Sequence, residues 1–164
     1  MIRFIYDSSL GDERIALIDK QSQRLQRWLR QVAACYGFRV GELTYILCSD
    51  EKELAVNREF LGHDYYTDVI TFDYTTPQCV NGDIFISWEM IKSNAAEIGV
   101  SAERELLRIL AHGLLHLTGQ GDKTPETKAE MTRKEEQALL ICDLRFPLEG
   151  VADGEMESHV VTPA

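Results

Sequence analysis

A chain of 164 residues, 45% hydrophobic and 27% charged, has room for one folded domain with a sizeable core and is too apolar to be disordered. A net charge of −10 and a pI near 4.8 weigh against a broadly basic, nonspecific nucleic-acid binder, but not against a local basic patch. No apolar run approaches the roughly 20 residues of a membrane span, and the start MIRFIYDSSLGDER lacks the regions of a signal peptide, so the expectation is a cytoplasmic protein with no membrane partner.

The first predicted element is a strand at IRFIY, from Ile2, ending at the turn signals DSSLGD. A helix is expected from about Glu13 to Tyr36, with Ile18, Leu25, Trp28, Leu29 and Val32 on one face and Gly37 as its stop. At about 100° per residue, Lys20, Arg24, Arg27 and Arg30 fall on the opposite face, a candidate cationic stripe. A second strand runs from Leu43 to Ser49, and Asp50 is the expected N-cap of the helix EKELAVNREF. Two more strands, Val69–Tyr74 and Asp83–Trp88, flank TTPQCVNG, whose proline and Asn-Gly signal a hairpin.

A helix from about Glu89 to Ile98 closes at Gly99, and Ser101 then caps the strongly apolar helix AERELLRILAHGLLHL. After the break GQGDKTP a polar helix is expected from about Glu126 to Ile141. The domain is placed at 1–146, and 147–164 reads as a disordered acidic tail. The expected architecture is one α/β (α+β) domain with a mixed four-stranded sheet, about five helices and the apolar fourth major helix in the core. Cys35, Cys48, Cys79 and Cys142 are widely spaced and read as free thiols of a reduced protein.

Chemistry concentrates in HGLLHLTGQGD, residues 112–122. Histidines four apart project from one helix face and can grip one metal. Gly119 can turn the chain at the helix end so that Asp122 swings back as a third ligand, leaving a coordination position open. An apolar-helix histidine more often sits in a core, satisfied by one hydrogen bond. The second histidine, the glycine and the aspartate favour a metal here. His63 and His159 have no such company. In H-E-x-x-H proteases the residue after the first histidine is the glutamate that serves as general base. That place is Gly113, so a metzincin-like spacing persists without the residue that would run peptide hydrolysis.

These residues resemble the YbeY endoribonucleases, metal-dependent enzymes of bacterial ribosomal RNA maturation and ribosome quality control. HGLLHLTG matches each fixed position of the first part of that family's signature, and VNREFLGHDYYTDVITF and NGDIFIS are similar to its other blocks, in the same order, from about Leu43 to Ile141. The resemblance implies His112 and His116 as metal ligands, with Asp122 where the family has a third histidine; a rival register would put Lys123 there, and a protonated lysine cannot ligate. The family's arginine after the helix aromatic falls on Leu61, and Arg58, three residues earlier on the same helical face, is the candidate substitute. Tyr66 replaces a common proline, and Asn57, Thr67, Asp68 and Asp83 match positions read as shaping the site.

What the resemblance implies is a zinc-dependent endoribonuclease, one ion per chain, that prefers single-stranded ribosomal RNA and acts in small-subunit rRNA 3′ end maturation and ribosome quality control. Its expected partners are ribosomal RNA, with Lys20, Arg24, Arg27 and Arg30 as contacts, and a ribosomal subunit or ribosomal proteins. Two other readings stand beside it: a non-catalytic, metal-stabilised ribosome-assembly factor, and a metzincin-like metalloprotease.

Overall fold

A computed structural model describes residues 1–63, 65 and 67–144; the expected acidic tail, His159 and Tyr66 lie outside them. In chain order the elements are β1 (Ile2–Tyr6), α1 (Ala16–Ala34), β2 (Arg39–Cys48), α2 (Asp50–Leu61), β3 (Val69–Asp73), β4 (Cys79–Ser87), α3 (Trp88–Ile98), α4 (Ala102–Leu117) and α5 (Pro125–Leu140). The four strands form one sheet in the order β1-β2-β4-β3, parallel except for the antiparallel β3–β4 pair. The mixed four-stranded α/β architecture is therefore as the element order implied. No described helix is long and apolar enough to cross a membrane.

Alternation along the strands separates two faces. Leu43, Tyr45 and Leu47 of β2 and Val80, Ile84 and Ile86 of β4 point to one side, where they meet Leu25, Trp28 and Leu29 of α1 and Leu106, Leu110 and Leu114 of α4. Each of these residues is essentially inaccessible to water, and truncating one such leucine to alanine costs about 2–5 kcal/mol. Two buried polar tips are satisfied there: the Trp28 indole donates to the Ala138 carbonyl at 2.8 Å and the Tyr45 hydroxyl to the Leu110 carbonyl at 2.8 Å. The other face carries Ile70, Phe72 and Phe85 and is met by the end of α2, where Phe60 packs edge-on to Phe72.

Several local expectations are corrected. Helix α1 starts at Ala16 rather than near Glu13, because Tyr6 takes the approach: its hydroxyl accepts from the Ile15 amide, donates to Asp19, and the Arg14 guanidinium lies over its ring. Gln21 is non-helical (φ −129°, ψ 29°), so Lys20 belongs to a different helical segment from Arg24, Arg27 and Arg30 and does not continue their stripe. The N-cap of α2 is Ser49, whose hydroxyl accepts from the Lys52 amide; Asp50 is already helical.

The Asn81-Gly82 pair, expected in the hairpin turn, lies within β4. The turn is Pro77-Gln78, closed by the Thr76–Cys79 pair, with Gln78 at φ 65°. Proline followed by a left-handed residue is the pattern of a type II turn. Gly82 serves close packing instead: a Cβ there would lie 2.6 Å from the Phe72 carbonyl oxygen and 2.9 Å from Leu117 Cδ1.

Candidate metal centre

Helix α4 is capped by Ser101, whose hydroxyl accepts from the Arg104 amide. Most of its surface is apolar and buried, but Glu105, Arg108, His112 and His116, spaced by three and four, form one polar stripe along it. The helix ends where Gly119 takes φ 97°, with its amide and that of Gln120 donating to the His116 and Leu115 carbonyls. The chain then folds back, braced by the buried Gln120 side chain, which donates to the Gly121 and Thr127 carbonyls.

That reversal brings Asp122 over the histidines. His112 Nε2 and His116 Nε2 are 3.0 Å apart, and Asp122 Oδ2 lies 3.5 Å from the first and 3.4 Å from the second. The edges of a tetrahedral zinc site with bonds near 2.0–2.1 Å are about 3.3–3.4 Å. Three potential ligand atoms in a triangle of that size fit a divalent ion closely. Among the described residues these three form the one cluster able to hold a metal.

The outer nitrogens are occupied. His112 Nδ1 lies 2.5 Å from Glu135 Oε2 and His116 Nδ1 lies 2.9 Å from the Gln120 carbonyl oxygen. An acceptor at each Nδ1 keeps its proton there and leaves the Nε2 lone pair for a metal. Glu135 is held in turn by Arg108 at 3.0 Å, and Arg108 by a two-point contact with Glu105 at 2.8 and 2.5 Å. Glu105 and Glu135 are almost fully buried. Burial would raise the Glu135 carboxyl, but His112 and Arg108 together hold it below the usual range, so it stays an anion. Burial, then the neighbouring His112, holds His116 below its ordinary value and favours the neutral ligand form.

Gly113 is explained by packing. A Cβ at this position would lie 3.0 Å from Ile84 Cδ1 and 3.1 Å from its Cγ2, on the sheet side of the helix. A glutamate there would enter the core.

The remaining sequence-derived positions divide. Asn57 is buried; its Nδ2 donates to the Tyr65 carbonyl at 2.9 Å and its carbonyl accepts from the Gly62 and His63 amides, fixing the loop after α2. That loop ends at Asp68, raised by burial and opposed by His112 and Arg108, so its carboxyl is in electrostatic reach of the centre. Thr67 donates to the Val69 carbonyl. Asp83 alternates with Ile84 and so lies on the sheet face away from α4. Arg58 is exposed on the last turn of α2, and Lys20, Arg24, Arg27 and Arg30 are exposed on α1. Lys123 is exposed, and no ion pair ties it to the triad among the described residues. Sequence reasoning missed Glu105, Arg108 and Glu135. The polar stripe on α4 pointed to the first two; Glu135, from another helix, left no local signal.

Residues 10–142 match the family model described as Endoribonuclease YbeY. Proteins named endoribonuclease YbeY from Phocaeicola vulgatus and Bacteroides thetaiotaomicron are each 46% identical, over 136 and 127 residues; these cover 83% and 77% of this chain and 99% and 93% of theirs. One from Cytophaga hutchinsonii is 47% identical, covering 73% of this chain and 85% of its own. The solution structure of TM1509 from Thermotoga maritima superposes with a TM-score of 0.57 at 28% identity, covering 84% of this chain and 89% of that one.

Proposed function

This chain belongs to the endoribonuclease YbeY family, and on that premise we propose that it is a zinc-dependent endoribonuclease of the cytoplasm that cleaves single-stranded ribosomal RNA. The stage of its action is the 3′ end maturation of small-subunit rRNA and ribosome quality control. The observation that carries the metal dependence is the triangle of His112 Nε2, His116 Nε2 and Asp122 Oδ2, with both Nδ1 atoms already engaged.

One zinc ion per chain fits the two imidazoles and one carboxylate. When bound it supplies a Lewis acid that lowers the pKa of water from about 15.7 toward 7 and stabilises charge on a phosphodiester. The chain's own residues hold that centre ready. Glu135 and the Gln120 carbonyl orient the imidazoles, Asp122 supplies the negative ligand, and Asn57 fixes the loop that brings Asp68 alongside.

Arg58 takes the role of the arginine that Leu61 displaces, serving the RNA rather than the metal. Lys20, Arg24, Arg27 and Arg30 guide the strand as separate contacts, split at the Gln21 kink. A chain of charge −10 binds free RNA weakly, with steep loss at higher salt, and relies on the ribosomal subunit or its proteins to be brought to the substrate.

The protease reading is disfavoured by Gly113, which carries no proton-transferring side chain and packs tightly against Ile84. An assembly factor that uses its metal only for rigidity remains the second reading, favoured by how firmly the ligands are braced. Incubation of the zinc-loaded protein with end-labelled single-stranded ribosomal RNA and, separately, with casein distinguishes the three. RNA cleavage alone supports the nuclease, casein cleavage the protease, and neither the assembly factor.

A further inference from the structure

Nine large apolar side chains are strongly exposed among the described residues, and three of them, Phe60, Leu61 and Tyr65, fall within six positions at the end of α2 and its loop. Phe60 is 62% and Tyr65 55% exposed. They are not loosely displayed. The Tyr65 ring stacks on His63 with centroids 5.2 Å apart and planes 19° from parallel, and the Tyr65 hydroxyl meets His63 Nδ1 at 3.1 Å. Asn57 pins the Tyr65 carbonyl, and Phe60 is anchored edge-on to Phe72 at 6.0 Å. An isolated exposed aromatic needs no explanation, but a pre-stacked pair beside a third exposed ring spends apolar surface on solvent in one ordered place.

The position gives the patch its meaning. Tyr65 is three residues before Asp68, a span of about 11 Å at most, and the Asp68 carbonyl accepts from the Ser87 amide at the end of β4. The aromatic cluster therefore sits at the end of α2 and on the loop that leads from it into β3. Stacking on aromatic faces suits an acidic protein, because it holds single-stranded nucleic acid without adding cations and tolerates any base.

We propose that Phe60, His63 and Tyr65 form a base-stacking platform that holds an unpaired base of the RNA strand on the loop between α2 and β3. This rests on the ribonuclease reading and adds a substrate-positioning role that the metal ligands cannot supply. It also accounts for single-strand preference, since a paired base has no free face to offer.

The test is fluorescence anisotropy of the zinc-loaded protein with a labelled single-stranded 2′-O-methyl oligonucleotide and with a matched strand carrying abasic sites. Tyr65→Ala and Phe60→Ala are expected to weaken binding of the base-bearing strand by about 5-fold to 150-fold. Against the abasic strand they should have little effect, and Tyr65→Phe, which keeps the ring, should retain most of the affinity. In cleavage of single-stranded ribosomal RNA, Tyr65→Ala should raise KM and leave kcat close to wild type. Equal losses on both strands, or a wild-type enzyme that cleaves RNA while Tyr65→Ala and Phe60→Ala bind unchanged, overturns the platform alone. A wild-type protein that neither binds nor cleaves RNA overturns the platform and the ribonuclease reading together.

Discussion

His112 faces two ways: its Nδ1 lies 2.5 Å from the Glu135 carboxylate while its Nε2 lies 3.0 Å from His116 Nε2. One imidazole thus links the cluster to a chain of charges running through the buried Glu135 and the half-buried Arg108 to the buried Glu105. Loss of such an outer partner typically costs 10–100-fold in metal affinity. Glu135→Ala is accordingly expected to weaken zinc binding by about that factor, measured by competition with a chromogenic chelator. Glu135→Gln, which keeps an acceptor oxygen, should lose less. Equal affinity in all three proteins would mean that Glu135 does not orient His112.

The chain reversal at Gly119 brings Asp122 Oδ2 to 3.5 Å and 3.4 Å from the two histidine Nε2 atoms, whereas Lys123 beside it is exposed. Asp122→Ala should lower zinc affinity well below that of wild type, whereas Asp122→His should keep a competent three-ligand set. Lys123→Ala should bind zinc as wild type does. The same chelator competition reads all three, and a loss confined to Lys123→Ala would require the other register.

Restoring the glutamate is expected to be costly. Gly113→Glu would drive a carboxylate against Ile84, a fully buried residue, and is expected to destabilise the fold by about 3 kcal/mol or more. Denaturant unfolding measures this. A Gly113→Glu protein as stable as wild type and active on casein would revive the protease reading.

Glu53 makes stability fall toward alkaline pH. It is 1% exposed, one of its carboxyl oxygens has no hydrogen-bond partner, and burial followed by the nearby Asp68 pushes it up to about 8 from an ordinary 4.5. Between those two values the folded chain holds a proton that the unfolded chain has released. Its contribution to stability is therefore present below about 4.5, declines as pH rises, and is gone above about 8. Glu53→Gln removes the ionisation, so its stability advantage over wild type should grow from pH 5 to pH 8 by on the order of a few kcal/mol. Thermal melts across that range test it; a constant difference would show that Glu53 does not titrate there.

The parts of this molecule legible in its sequence are those written within one element. His112 and His116 share a helix face by their spacing, and Gly119 had to turn the chain for Asp122 to return. Strand and helix order emerged from alternation and helical period, and with them the mixed sheet. What escaped is written between elements. Glu135 reaches His112 from a different helix, so no local pattern marks it. Tyr6 decides where α1 begins from a neighbouring strand, overriding the local start signals. Asn81-Gly82 looked like a hairpin turn because that dipeptide favours one, yet the close approach of Phe72 and Leu117 requires the glycine inside β4. Asp83 matched a family position, but the pleat turns it away from the metal helix.

We propose the histidine–aspartate triangle as a catalytic metal centre for RNA cleavage. It is tested most directly by comparing zinc-loaded wild-type protein with a folded His116→Ala variant on end-labelled single-stranded ribosomal RNA, with zinc content measured on the same samples. Wild type is expected to hold one zinc and to cleave, and His116→Ala to lose both the ion and the cleavage. Equal cleavage by the two proteins would contradict it.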